Sequence, residues 1–396
     1  MRAPAFYLGL SALARRGRGR YAGYMTLLCA WLICAFTSAS GADWDGAGAH
    51  ALFSKAGNMP VPQAEAASAG KGLSYSDVCS AGGSDSGDRR EARRLAGLKA
   101  IQREVRPKFS ALVKKYKLPE PDAGDYMGSA LRSISFTPPY PYNTAKAKEA
   151  LAAFAMALEA AALKRAPLPD YGVIKSEMIA RIRASGVSDK TKAELVRRVE
   201  LTELVLPSRY ITDFITTGGE LWPLIDQLAS DQAWNASYDD LGGASNPKLE
   251  RNQSVVVVFP GMLLAEARGG PHLDFILAHE TAHSIDSGKF PEMYAPLSAC
   301  MRDNFGVSFR DWSEPAADYW ADDVIASRAA GAGGLDYLRK SYEVICGTSG
   351  EAGSVLEHVT QMDHPSGAYR IENILGRNPL LRGALGLPPE NSACRL

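Results

Sequence analysis

Two histidines and a glutamate stand at a spacing that can do chemistry: His279-Glu280-Thr281-Ala282-His283. On a helix, positions i and i+4 share a face, so both imidazoles can reach one metal ion. Glu280 directly follows the first histidine. That sets its carboxylate beside such a metal rather than on it, where it can take a proton from water. This set suits Zn2+, one ion per chain, which takes three protein ligands at catalytic sites. The flanking Leu273, Ile276 and Leu277 predict a buried helix, and buried histidines need partners.

Candidates for the third ligand are Glu292, Glu314, Asp318, Asp322 and Asp323. Glu314 is favoured. Proline is tolerated in a first helical turn, so Ser313-Glu314-Pro315-Ala316-Ala317-Asp318 starts a helix. Glu314 and Asp318 then lie one turn apart, so one can bind metal while the other receives an imidazole N–H. Asp363-His364-Pro365-Ser366-Gly367 reads as a loop. His364 and, beyond it, Arg370 could stabilise an oxyanion and hold a substrate carbonyl.

These residues need elements to position them. Capping and apolar spacing predict helices over 88–117, from Asn143 or Thr144 to about 165, from Ser188 to just before Pro207, and over 219–230. Further helices are expected over 271–283, 313–330, 335–344 and 351–362. The β-branched run 254–259 is the best strand, ended by Pro260 and Gly261. The expectation is a mainly α fold with a small β element beside the active-site helix. A helical region covers 89–235 and a catalytic region 236–396.

The chain has 396 residues, 44 Lys+Arg against 44 Asp+Glu, 46% apolar and 22% charged residues. With no basic surplus, a nucleic-acid binder held by phosphates is disfavoured. Beyond the N-terminus no apolar run is long enough to span a bilayer, so stable membrane insertion is not expected. Residues 1–39 read as a signal peptide: Arg15, Arg16, Arg18 and Arg20 precede an apolar core, Met25 to Phe36, and then small residues. Residues 40–88 read as a flexible leader. Losing 1–39 removes five arginines and no acids, which leaves the remainder five charges negative. Cys79, Cys300, Cys346 and Cys394 stay. In an exported chain, whether periplasmic or secreted, they suggest two disulfides with three possible pairings.

The C-terminal part resembles the catalytic region of the neprilysin/endothelin-converting-enzyme metallopeptidases, which are gluzincins. The resemblance covers roughly residues 245–396 and rests on several motifs in order. These are Arg251-Asn252-Gln253 with Val257-Val258-Phe259-Pro260-Gly261, His279 through Asp286, Glu314 to Asp318, Ile345-Cys346-Gly347-Thr348, His364-Pro365 through Tyr369-Arg370-Ile371, and Cys394-Arg395-Leu396. It implies a gluzincin-like fold with His279, His283 and Glu314 as zinc ligands and Glu280 as base. Asp318 would orient His279, while His364 and Arg370 would bind the transition state and substrate. It also implies the pairs Cys79–Cys346 and Cys300–Cys394. The family's N-A-x-Y substrate-gripping motif has no evident counterpart; Asn246-Pro247-Lys248-Leu249 stands near its place. Asn235-Ala236-Ser237 and Asn252-Gln253-Ser254 fit glycosylation acceptors that a eukaryotic host would use.

The expected function is an exported zinc-dependent peptidase acting on a peptide or protein. The main competing reading is a zinc-stabilised binding or inhibitory domain without turnover.

Overall fold

Asn143 caps the alanine-rich helix as its sequence predicts, its side chain accepting from the Lys146 N–H. Ser188 does the same for its helix through the Thr191 N–H. Each cap satisfies a donor the helix cannot reach internally. The computed structural model describes residues 74–79, 85–140, 143–168, 170–216, 218–229, 236–241, 253–266, 273–305, 312–332, 334–342, 370–372, 374–389 and 394–396. The proposed signal and leader up to residue 73, His364, Cys346, Asn235, Asn252 and the helix expected over 351–362 lie outside them.

In chain order the helices are α1 (Tyr75–Cys79), α2 (Asp85–Lys115), α3 (Tyr126–Phe136), α4 (Thr144–Leu163), α5 (Tyr171–Ala184), α6 (Asp189–Leu201), α7 (Gly218–Ala229), α8 (Pro260–Glu266), α9 (Asp274–Ala282), α10 (Pro291–Phe305), α11 (Ser313–Ala332), α12 (Leu335–Ser341) and α13 (Pro379–Ala384). Strands β1 (Thr202–Val205), β2 (Ala236–Asp240) and β3 (Ser254–Val258) form one sheet of order β1-β3-β2. The fold is mainly α with this small sheet, as expected.

β3 is the central strand and all five of its residues are buried. A strand covered on both faces reads as a continuous β-branched run, which is why Val255 to Val258 stand out. β1 pairs with it in parallel and β2 antiparallel. β1 corrects the expectation that the Ser188 helix continues to Pro207. The helix stops at Leu201, and Thr202 instead pairs with Ser254, their hydroxyls 2.9 Å apart. Pro260 ends the strand and also opens α8, where a proline lacks no needed N–H.

One hydrophobic cluster runs through both the helical region and the elements after residue 236. On one side, Phe109 of α2 meets Phe154 of α4 edge to face at 4.6 Å. On the other, α9 packs against α11, α5 and β2. Polar pins fix α9 at both ends. Asp274 accepts from the Tyr337 hydroxyl at 2.7 Å and pairs with Arg328 at 3.0 Å. Past the other end, buried Trp320 donates to Tyr294, whose hydroxyl donates to the Ile285 carbonyl.

Cys300 and Cys394 form a disulfide across 94 residues, joining α10 to the last described segment. Loop-closure entropy sets its contribution at roughly 4–5 kcal/mol. Cys79 is also disulfide-bonded. Among the described residues, no helix is long and apolar enough to cross a membrane.

Candidate metal centre

The apolar face of α9 (Phe275, Leu277, Ala278, Ala282) is buried and aims the rest of the helix at α11. His279 lies in its last turn. His283 opens the tighter turn His283–Ile285 that continues it. The two rings stand nearly perpendicular, their centroids 4.9 Å apart. Glu314, in the first turn of α11, comes to both: its carboxylate lies 3.1 Å from His279 Nε2 and 3.4 Å from His283 Nε2. One ligand atom from each of His279, His283 and Glu314 lies within 4.8 Å of the others. Glu292, Asp322 and Asp323 are not in this group. Asp322 accepts from Tyr342, and Asp323 holds Arg395 and Asn378.

The opposite ring nitrogens are fixed by carboxylates. His279 Nδ1 is 2.8 Å from Asp318, and His283 Nδ1 is 3.0 Å from Asp286. With Nδ1 of each ring held by a carboxylate, Nε2 of each ring points toward Glu314, the position from which it could bind a metal. Asp286 is itself held by the Ser313 hydroxyl at 2.7 Å and the Gly288 N–H at 3.0 Å. Ser313 precedes Glu314, so one small network sets both a ligand and the orientation of another.

Arg370 forks onto Asp318, with Nε at 2.7 Å and a terminal nitrogen at 2.5 Å. Asp318 thus serves His279 and Arg370 together. Burial would raise its pKa, but Arg370 and His279 outweigh burial and hold it well below the usual carboxylate range. Asp286 is lowered too: against burial, His283, Ser313 and Lys289 favour its charge. Burial disfavours a charge on His279, yet the bonds to Asp318 and Glu314 push it up to about 10. Carboxylates of Glu314, Asp318 and Asp286 surround the two rings. Two imidazole nitrogens and a carboxylate at this separation match the donor chemistry of a transition metal such as zinc. The residues therefore fit a divalent ion.

Glu280 is no part of the ligand group. Burial raises its pKa, countered by His279 and His283, and the Tyr238 N–H of β2 donates to its carboxylate. Tyr238 also lies near the His283 ring, 6.0 Å between centroids.

The spacing of His279, His283, Glu314 and Asp318 points to this cluster, and the structure brings all four together. The sequence reading matches Asp286 as the aspartate that follows the helix but gives it no task. Its signal is an aspartate three residues after a ligand histidine. The edge strand β2 is a second omission. Asn235-Ala236-Ser237-Tyr238 has the residue order N-A-x-Y and lies upstream of the segment at Asn246. Ala236 to Tyr238 lie on the edge strand itself.

Comparisons with protein-family models, with curated proteins and with solved structures found no match.

Proposed function

We propose that this chain is an exported zinc metallopeptidase of gluzincin type. The observation that carries the reading is the convergence of His279 Nε2, His283 Nε2 and the Glu314 carboxylate, each ring backed by its own aspartate. When bound, zinc would act as a Lewis acid on a peptide carbonyl and on water. The remaining work falls to the protein. Glu280 takes the proton from the attacking water and delivers it to the leaving amine. Its raised pKa suits both halves of that task.

An extended peptide would add alongside β2, the outer strand of the sheet among the described residues, whose other side pairs with β3. Asp318 and Arg370 keep the His279 ring in one orientation throughout. The disulfide and the expected signal peptide support export.

The test is metal analysis of the purified protein together with cleavage of a mixed peptide library, with and without a chelator. One zinc per chain and chelator-sensitive cleavage support the reading. Stoichiometric zinc without cleavage identifies a metal-stabilised binding domain instead.

A further inference from the structure

A second site lies on the helical region, in a groove of about 440 Å3 between α2 and the start of α3. Lys99, Gln102, Arg103 and Arg106 of α2 line it, facing Tyr126 and Met127. Positions 99, 103 and 106 share a helical face, so three cations are strung along one wall.

Of the nearby carboxylates, Glu104 and Asp125 are paired with other cations. Glu104 pairs with Lys164 and Arg165. Asp125 pairs with Arg132 and accepts from the Gly128 N–H, while Asp122 accepts from the Gly124 N–H. By contrast, no carboxylate among the described residues pairs with Lys99, Arg103 or Arg106. The contacts they do make set them in place. Arg103 Nε donates to the Lys99 carbonyl, and the Arg106 guanidinium stacks 4.5 Å over the Tyr126 ring. That ring is anchored in turn by a 2.6 Å hydrogen bond between its hydroxyl and Ser110.

Like charges held together in a concave wall repel one another unless an anion joins them. Two guanidinium forks and an ammonium match the charge and terminal oxygens of a phosphate ester, which a carboxylate offers less well. The volume is that of a small-molecule site. Tyr126 and Met127 give an organic body something apolar to rest on. A zero net charge for the whole chain makes a nucleic acid a poor fit.

We propose that this groove binds a phosphoryl group carried on a small organic body, either a soluble phosphate ester or a phospholipid headgroup. The proposal does not depend on the metal centre.

The test is calorimetric titration of the full chain with inorganic phosphate, glycerol phosphate and acetate. It is paired with co-sedimentation on phosphatidylcholine vesicles with and without phosphatidylglycerol. Saturable binding of phosphate is expected, weaker in added salt and about tenfold weaker in Arg103→Gln/Arg106→Gln. Lys99→Gln alone should weaken it several-fold, and these exposed positions should leave thermal unfolding unchanged. His283→Ala should bind phosphate as the wild type does, which separates this site from the metal centre. Tighter binding of glycerol phosphate without sedimentation assigns a soluble ester. Sedimentation that needs phosphatidylglycerol and fails in the double variant assigns a lipid. Absence of binding in every arm, equal binding by the double variant, or acetate binding as tight as phosphate overturns the proposal.

Discussion

The α2–α4 packing and the α9–α11 packing solve the same problem with opposite materials. Between α2 and α4, Phe109 meets Phe154 in a buried apolar core, and the ion pairs, Lys115 with Glu149 and Glu104 with Lys164 and Arg165, lie at its more exposed rim. Between α9 and α11, His279, Glu314, Asp318 and Arg370 meet, with His279 and Asp318 buried. The first interface depends on volume, since a core gains by filling space and loses by cavities. The second depends on charge, since a buried ionised group needs every partner present. Changes that keep shape but alter charge should therefore harm the second and spare the first.

The largest effect expected from such a change is at Glu280. Glu280→Gln keeps the size of the side chain and should lower kcat by roughly 10²–10⁴-fold while leaving metal content intact. Steady-state kinetics and metal analysis on one preparation check both halves. Next comes Asp318→Asn, which weakens the hold on His279 and leaves Arg370 without its counter-charge. Metal affinity should fall roughly 10–100-fold, as read by competition with a chromogenic chelator. At the other interface Phe154→Ala should cost about 3–5 kcal/mol in urea unfolding, with metal stoichiometry unchanged. A loss of metal there would break the contrast.

Smaller effects sharpen it. Without metal, His279 is protonated well above neutrality. Zinc uptake at pH 7 must displace that proton, so calorimetry in buffers of different ionisation enthalpy should report a release of about one. Asp318 and Asp286 have folded pKa values below the ordinary 3.8. Their stabilisation is present above that value and is lost as pH falls through the folded values. Denaturation midpoints of the metal-free protein should therefore drop as pH falls below about 5, and less steeply in Asp286→Asn.

The sequence makes parts of this plain and hides others for physical reasons. Asn143 and Ser188 announce helix starts because a cap is a local bond. Val255 to Val258 announce a strand because full burial demands an unbroken apolar run. β2 does not, because Ser237, Asp239 and Asp240 carry little strand preference; its pairing with β3 decides. Leu204 fits a helical pattern until Thr202 finds Ser254. α10 holds Pro296 inside it, which argues for a break by local rules. His279 and His283 are legible as a pair because their spacing is helical, and Glu314 because Pro315 marks a helix start. The fork from Arg370 to Asp318 spans 52 residues, a contact that only the tertiary fold creates.

X-ray absorption at the zinc edge of the native protein, beside its His283→Ala variant, tests the metal centre most directly. The account predicts one zinc per chain bound by nitrogen and oxygen, with two imidazoles at about 2.0–2.1 Å, and loss of that signal in the variant. Substoichiometric zinc, sulfur in the coordination shell, or an unchanged spectrum in the variant would contradict it.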